Sequence, residues 1–234
     1  MEAREIICSA VLPQDIQRGL DYAVRSLPYT IDRMNYGRQT IEAHLKRLRN
    51  IALGKCAEAA LIRFLRAHGV QHNSIEGKTR FDRPDLFDLR IHGEIVDVKA
   101  FWLADQYAQT DQIINALALI PNRDANDQWA LRHRYHRYIF LFFTGRFRLV
   151  LKQRLATILH DPRPLTTEEL HIKSHNLRIF ITAAPTVTEC EEKFRRIRKR
   201  TRCLQYPFGT RIENMGCRIR DLTAFAQVVQ WGGV

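Results

Sequence analysis

Arg83-Pro84-Asp85-Leu86-Phe87-Asp88-Leu89-Arg90-Ile91-His92-Gly93-Glu94-Ile95-Val96-Asp97-Val98-Lys99 is the stretch on which the fold turns. Two alternating apolar runs flank a two-residue turn containing glycine, which is a hairpin signal. Folded about His92-Gly93, the register pairs Ile91 with Glu94, Leu89 with Val96 and Asp88 with Asp97. Side chains alternate across a strand. Phe87, Leu89, Ile91, Val96 and Val98 therefore share one apolar face, and Asp88, Asp97 and Lys99 share the other. Two carboxylates directly opposite each other repel unless something neutralises them. A divalent cation would do so, and carboxylate oxygens suit Mg2+ or Mn2+. A half-exposed hairpin with a solvated charged face would also account for Lys99 and either aspartate alone. It accounts less well for two facing acids with a lysine two residues on.

Upstream, residues 13 to 27 carry Ile16, Leu20, Ala23 and Leu27 at helical spacing after Pro13, and Pro28 is expected to end that helix. A longer pattern runs from about Thr40 to His68, with Gly54 as a kink or a break and Gly69 as the residue that caps its end. Leu61, Ile62 and Leu65 follow Glu58 at three, four and seven residues, so Glu58 shares their face. A carboxylate on an apolar stripe is costly to bury unless it is paired or metal-bound. The plain alternative is a stripe edge, with Glu58 meeting water, Arg63 or Arg66. Lys46, Arg47 and Arg49 are either a solvated helix face or a substrate contact.

These residues resemble the PD-(D/E)xK nuclease superfamily, the restriction-endonuclease-like fold. Pro84-Asp85 is similar to its PD element, Asp97-Val98-Lys99 to its (D/E)xK element, and Gly54 to Glu58 to its G-x-x-x-E helix. The resemblance covers about residues 50 to 100. It implies an α/β fold with a central mixed β-sheet flanked by helices. It also implies Mg2+-dependent hydrolysis of phosphodiester bonds in DNA, with Mn2+ able to substitute. Asp88 and Asp97 would then hold Mg2+, with the Val98 carbonyl as a further ligand and Glu58 at a second metal or its water. Lys99 would orient the attacking water and stabilise developing charge. The literal PD text fits Asp85, but the hairpin register puts Asp85 on the face opposite Asp97, which favours Asp88.

The net charge of +12 and the pI near 9.9 point to a polyanionic partner, nucleic acid before acidic membrane. No apolar run approaches the roughly 18 residues that span a bilayer, and the first residues make a poor signal peptide, so a cytoplasmic location is expected. The five cysteines include no C-x-x-C, which speaks against a zinc ribbon. Some relatives of the resembled superfamily hold an iron–sulfur cluster, but Cys190, Cys203 and Cys217 are too widely spaced for that pattern. Free buried thiols are the reading that remains.

Past Lys99, Asp105 is expected to cap a helix through about Leu119, with Gln106, Gln109 and Gln112 on its polar edge. Residues 120 to 134 read as a loop long enough to be functional. His133 and His136 lack a nearby third ligand for a metal. Strands are expected at 137 to 143 and 146 to 151, joined at Thr144-Gly145, then a short helix near 152 to 159, a Pro-rich loop and a core strand over Leu177 to Ala183. Thr188 to Leu204 reads as a helix with Thr188 and Glu191 as its capping box. It would carry Lys193, Arg195, Arg196, Arg198, Lys199, Arg200 and Arg202, the expected nucleic-acid contacts. From Lys193 to Arg220 there are ten basic residues and one acid, a net +9, so most of the excess charge lies here. Phosphates are its natural partner, although such a face can also simply be solvated. Leu222 to Val229 reads as a closing helix.

The expected organisation is an N-terminal helical extension over 1–45, a nuclease core over 46–185 and a basic C-terminal helical segment over 186–234 packed on the core. The expected activity is a metal-dependent DNA endonuclease of restriction, defence or repair type, acting on double-stranded DNA as a homodimer. The alternatives are an RNA-cleaving enzyme on the same fold, a non-catalytic nucleic-acid binder, or an assembly protein.

Overall fold

The computed structural model describes residues 1–33, 41–74, 89–125, 127–151 and 170–229. Among them the elements run β1 (Ile7–Ala10), α1 (Pro13–Arg33), α2 (Ile41–Ala67), β2 (His72–Ser74), β3 (Leu89–Ile91), β4 (Glu94–Trp102), α3 (Thr110–Ile113), β5 (Leu117–Pro121), β6 (Arg137–Leu151), β7 (Leu170–Ile181), α4 (Val187–Lys193), β8 (Arg195–Ile197), β9 (Asn214–Arg218) and α5 (Phe225–Val228). The fold is mixed α/β. A six-stranded sheet has the order β1-β7-β6-β4-β3-β2, and a three-stranded sheet the order β5-β9-β8. β4 and β6 are parallel, and the other pairs of the larger sheet are antiparallel.

The hairpin forms in the expected register, with Ile91 opposite Glu94 and Leu89 opposite Val96. His92 at φ 48° and Gly93 at φ 86° give the two left-handed turn residues of a type I′ hairpin. Period-2 alternation then sorts both faces of the sheet. Val96 and Val98 of β4, Ile139 and Leu141 of β6, and Ile179 and Ile181 of β7 face the core shared with α1 and α2. Tyr138, Phe140 and Phe142 of β6 and Phe180 of β7 face a second core beneath the smaller sheet, which α4 and Phe194 complete. The larger sheet is thus covered on both sides, and a strand buried on both faces reads as a continuous apolar run. This explains Tyr138-Ile139-Phe140-Leu141-Phe142-Phe143.

α2 is one helix through Gly54, and it stops as its sequence indicates. Gly69 at φ 65° donates to the Arg66 carbonyl at 3.2 Å, and Val70 donates to the Leu65 carbonyl at 2.9 Å. That pair of bonds is a Schellman motif. The stretch read as an N-terminal extension supplies edge strand β1 to the larger sheet, and Leu20, Ala23 and Val24 of α1 to its core. Residues 186–229 supply two strands of the smaller sheet.

Five expectations are corrected. α1 continues through Pro28 to Arg33, despite the lost hydrogen bond and ring clash of an interior proline; Leu20, Ala23 and Val24 of the preceding turns are held in the core against α2. The stretch after Asp105 is not a helix to Leu119. It forms a short 3-10 turn over Asp105–Tyr107, then α3, then β5, because Ala118 and Ile120 are buried in the second core while the backbone pairs with β9. Asp105 Oδ1 instead accepts the Gly145 N–H at 2.7 Å. The strands expected on either side of Gly145 are one strand, β6, with a bulge where Gly145 takes φ +100°. The basic run is not a helix. α4 ends at Lys193, because Phe194 docks in the second core and stacks on Trp129 with ring centroids 5.7 Å apart, and Arg195–Ile197 continue as β8. Its N-cap is Thr186, whose hydroxyl accepts the Glu189 N–H at 3.1 Å, two residues before the expected cap. Finally, the closing helix is a single turn, α5. The segment near 152–159 lies outside the described residues.

α1 and α2 approach through small residues. A Cβ on Gly19 would sit 2.4 Å from Cys56 Sγ and 2.5 Å from the Ala52 carbonyl oxygen, whereas one on Gly54 would meet nothing within 4 Å. Helix propensity favours alanine at both sites by about 0.5–1 kcal/mol, but overpacking at Gly19 costs about 1–3 kcal/mol. Gly19→Ala should lower the melting temperature while Gly54→Ala leaves it unchanged or raises it. Equal behaviour of the two in thermal denaturation would contradict this packing.

Candidate active site

Among the described residues, β4 pairs with β3 over Glu94–Val96 and with β6 over Val96–Trp102. Among the described residues, the second half of β4 therefore has a strand on one side only. Asp97 and Lys99 lie on this half and point away from Val96 and Val98. Asp97 is 6% exposed and forms an ion pair with Lys99. Beside them on β6 is Tyr138, in register with Asp97 and fully buried, with its ring centroid 5.8 Å from Lys99 Nζ. Burial, reinforced by the negative charge of Asp97, pushes the Tyr138 hydroxyl well above its ordinary pKa, so it keeps its proton. Two clamps fix where β6 meets the hairpin. His136 Nδ1 accepts the Ile95 N–H at 3.0 Å, and Arg137 binds Glu94 at 2.7 Å and the Ala184 carbonyl at 2.6 Å. The Arg137 guanidinium holds the Glu94 carboxyl below its usual range. His136 is thus a backbone clamp at this junction.

Glu58 is placed by α2. Arg47, Asn50, Gly54 and Glu58 recur at three- and four-residue steps and form one stripe of the helix, and all four line an open cleft of about 920 Å3. Glu58 is paired with Lys55 at 2.6 Å, and both side chains are 14% exposed. Of the two arginines offered as alternative partners of Glu58, Arg63 instead reaches back to Asp15 at 3.1 Å. The absence of a side chain at Gly54 leaves the helix face open one turn before Glu58.

The cleft brings Glu58 together with Val98 and Lys99 around the edge of β4. Its far wall comes from β5, the loop after it, and the C-terminal region. Lys46, Arg47, Lys99, Arg123 and Arg211 supply five cations, against Glu58 and Asp127 as the carboxylates. Asp127 is itself bound by Arg123 Nε at 2.9 Å and by the backbone N–H groups of Arg123 and Gln128 at 2.8 and 2.9 Å. Burial raises its pKa, but these bonds outweigh burial and hold it below the usual carboxylate range. The cleft is therefore a positively charged groove suited to an anion. Sequence reasoning missed Arg123, Asp127, Arg211 and Tyr138 as cleft or site residues. The i, i+4 spacing of Arg123 and Asp127 is the one local signal that pointed to a pair.

Asp88 lies outside the described residues, as does Asp85, so the facing-acid arrangement with Asp97 is not described. Among the described residues no group of three or more His, Cys, Asp or Glu is gathered closely enough to hold a metal. The donors present at β4 and α2 are the Asp97 and Glu58 carboxylates and the Val98 carbonyl. All are oxygens, the kind that Mg2+ and Mn2+ take. Each carboxylate has a lysine partner supplying the positive charge that a cation would otherwise bring. In kind, the residues fit a divalent cation.

The basic segment divides into two parts. Lys193 is tied into the fold by Glu189 at 2.9 Å and the Asp221 carbonyl at 2.6 Å. Arg195 caps the carbonyls of Glu192 and Phe194, and Arg196 pairs with Glu213 at 2.7 Å. Arg198, Lys199, Arg200 and Arg202 stand exposed on the turn after β8. Among the described residues no helix is long and apolar enough to cross a membrane. Compared with known proteins, the chain matches no family model, no curated protein and no solved structure.

The Asp127 carboxylate offers a pH test of the cleft wall. Its lowered pKa contributes stability that is present above the unfolded carboxyl pKa and is lost as pH falls through the folded value. Asp127→Asn should therefore lower the melting temperature at pH 7, and the deficit should shrink as pH falls below about 4. A deficit that is constant with pH would show that the charge of Asp127 does not hold the loop.

Proposed function

We propose that this chain is a metal-dependent endonuclease of the restriction-endonuclease-like fold that hydrolyses phosphodiester bonds of DNA. One observation carries the reading. Helix-borne Glu58 lines one basic cleft with Val98 and Lys99, far apart from it in sequence, and Asp97 is paired with Lys99 there. The order of these elements, a helix followed by a hairpin and then a strand parallel to β4, supports the resemblance. The positive lining supports a phosphate backbone as the occupant. Arg47 adds to this, because its Nε is buried and has no hydrogen-bond partner among the described residues.

Asp97, the Val98 carbonyl and Glu58, with Asp88 from outside the described residues, would hold Mg2+ or Mn2+. The bound cation supplies Lewis-acid polarisation of the scissile phosphate and a more acidic water. Lys99 stabilises the negative charge that develops on the phosphate and orients the attacking water. Arg47, Arg123 and Arg211 bind the flanking phosphates and orient the strand in the groove. The Tyr138 hydroxyl, which stays protonated, keeps a neutral wall beside Asp97. A homodimer, which would place one site on each DNA strand, belongs to this proposal. An RNA substrate is the second reading, since the phosphate contacts alone do not distinguish the two.

The test is cleavage of supercoiled plasmid in Mg2+, Mn2+ or EDTA, with labelled RNA in parallel. Nicking or linearisation in either metal and none in EDTA is expected. Lys99→Ala and Glu58→Gln should each lower the rate by about 100-fold or more in protein that circular dichroism shows to be folded, and Lys99→Ala, which leaves Asp97 buried without its partner, should also lower the melting temperature. Cutting that survives EDTA or Lys99→Ala would place the chemistry elsewhere. Salt-sensitive binding without any cutting would leave a binding module.

A further inference from the structure

Phe208 is 96% exposed, by far the most exposed large apolar side chain among the described residues; Leu12, at 37%, is the other one in that class. Its backbone is firmly held. Tyr206-Pro207-Phe208-Gly209 closes as a turn, with the Gly209 N–H donating to the Tyr206 carbonyl at 2.9 Å. Proline at the second position, glycine at the fourth and no left-handed φ at Phe208 make it a type I turn. Cys203 and Tyr206 exchange backbone bonds at 3.2 and 3.0 Å beneath it. The Arg200 N–H reaches the Thr210 carbonyl at 2.7 Å, and the Thr210 N–H reaches the Thr201 carbonyl at 2.9 Å. The two limbs touch so closely that a Cβ on Gly209 would meet the Arg200 carbonyl oxygen at 2.6 Å.

This braced turn is also strongly cationic. Between Arg195 and Ile212 there are seven Lys or Arg and no acid. Arg198, Lys199, Arg200 and Arg202 are exposed on one limb. On the other limb Tyr206, Thr210 and Arg211 line the cleft that holds Glu58 and Lys99. A lone aromatic ring held out into water among arginines, beside residues that line a basic groove, is poorly suited to a protein core contact. It suits a flat apolar ligand that arrives with its own negative charge. An unpaired nucleobase has that chemistry, and stacking of a base on an aromatic ring is tolerant of sequence.

We propose that Phe208 is a stacking platform for an unpaired base, and that the limb from Arg198 to Arg202 holds the phosphates on either side of that base. The site therefore favours nucleic acid with a single-stranded stretch beside the segment lying in the cleft. This rests on the nucleic-acid-binding half of the proposed function and not on its chemistry.

The test uses the full chain in EDTA, so that no cutting is involved. A single-stranded DNA oligonucleotide carrying 2-aminopurine, and its fully paired duplex, are titrated while anisotropy and 2-aminopurine emission are followed. Wild type should bind the single strand more tightly than the duplex and quench its emission. Phe208→Ala should lose roughly tenfold in affinity for the single strand and lose the quenching, Phe208→Trp should keep both, and all three proteins should melt alike. An alanine variant that binds and quenches as wild type does would overturn the inference and leave the nuclease reading standing. So would tighter binding to duplex than to single strand. A lost stack in a protein that never cuts plasmid would uphold the inference and remove the chemistry. Failure of wild type to bind either DNA would overturn both.

Discussion

The register of the β3–β4 hairpin is the constraint on which the rest depends. Strand side chains have a period of two, so a slip of one residue would exchange the two faces of β4. The turn at His92 and Gly93 prevents the slip, because both residues sit in the left-handed region that a two-residue turn of this hand requires. Leu89 and Val96, opposite each other and fully buried, fix the same register from the core side. With that register Val98 points into the α1–α2 core, and Asp97 and Lys99 point the other way. Parallel pairing with β6 then brings Tyr138 beside Asp97, and the Arg137–Glu94 and His136–Ile95 contacts hold the junction.

Asp97 is the polar exception in this arrangement. A carboxylate this deeply buried is destabilising unless it is compensated, and Lys99 provides the compensation. Glu58 and Lys55 repeat the arrangement on α2. Glu58, held by Lys55, lines the groove rich in arginine, and Asp97, held by Lys99, adjoins Val98 and Lys99, which line it. Tyr206, Thr210 and Arg211 of the braced basic turn that carries Phe208 line the same groove, so the proposed phosphate, cation and base contacts would lie along one surface.

Much of the large sheet was legible, because its signals are local. Alternation from Leu89 to Lys99 gave the hairpin and its faces, and Gly69 marked the end of α2 where the Schellman bonds close. Glu58 was legible only because its spacing to Leu61 and Leu65 put a carboxylate on an apolar stripe. The failures have a common physical origin. Leu117 to Pro121 and Arg195 to Ile197 are strands because β9 lies between them, and a pairing partner that arrives roughly 20 to 100 residues later leaves no local period. Helix-like charge patterning after Lys193 was likewise overridden by the docking of Phe194. Arg123, Asp127 and Arg211 entered the cleft through the smaller sheet, which is why their role could not be read along the chain.

The measurement that tests the account most directly is Mn2+ binding to the protein alone, followed by electron paramagnetic resonance, in wild type and Asp97→Asn. The account expects the free Mn2+ signal to fall on addition of wild-type protein and to persist with Asp97→Asn, with both proteins folded by circular dichroism. Equal Mn2+ uptake by the two, or none by wild type even with DNA present, would contradict the assignment of β4 as the carrier of a metal-dependent site.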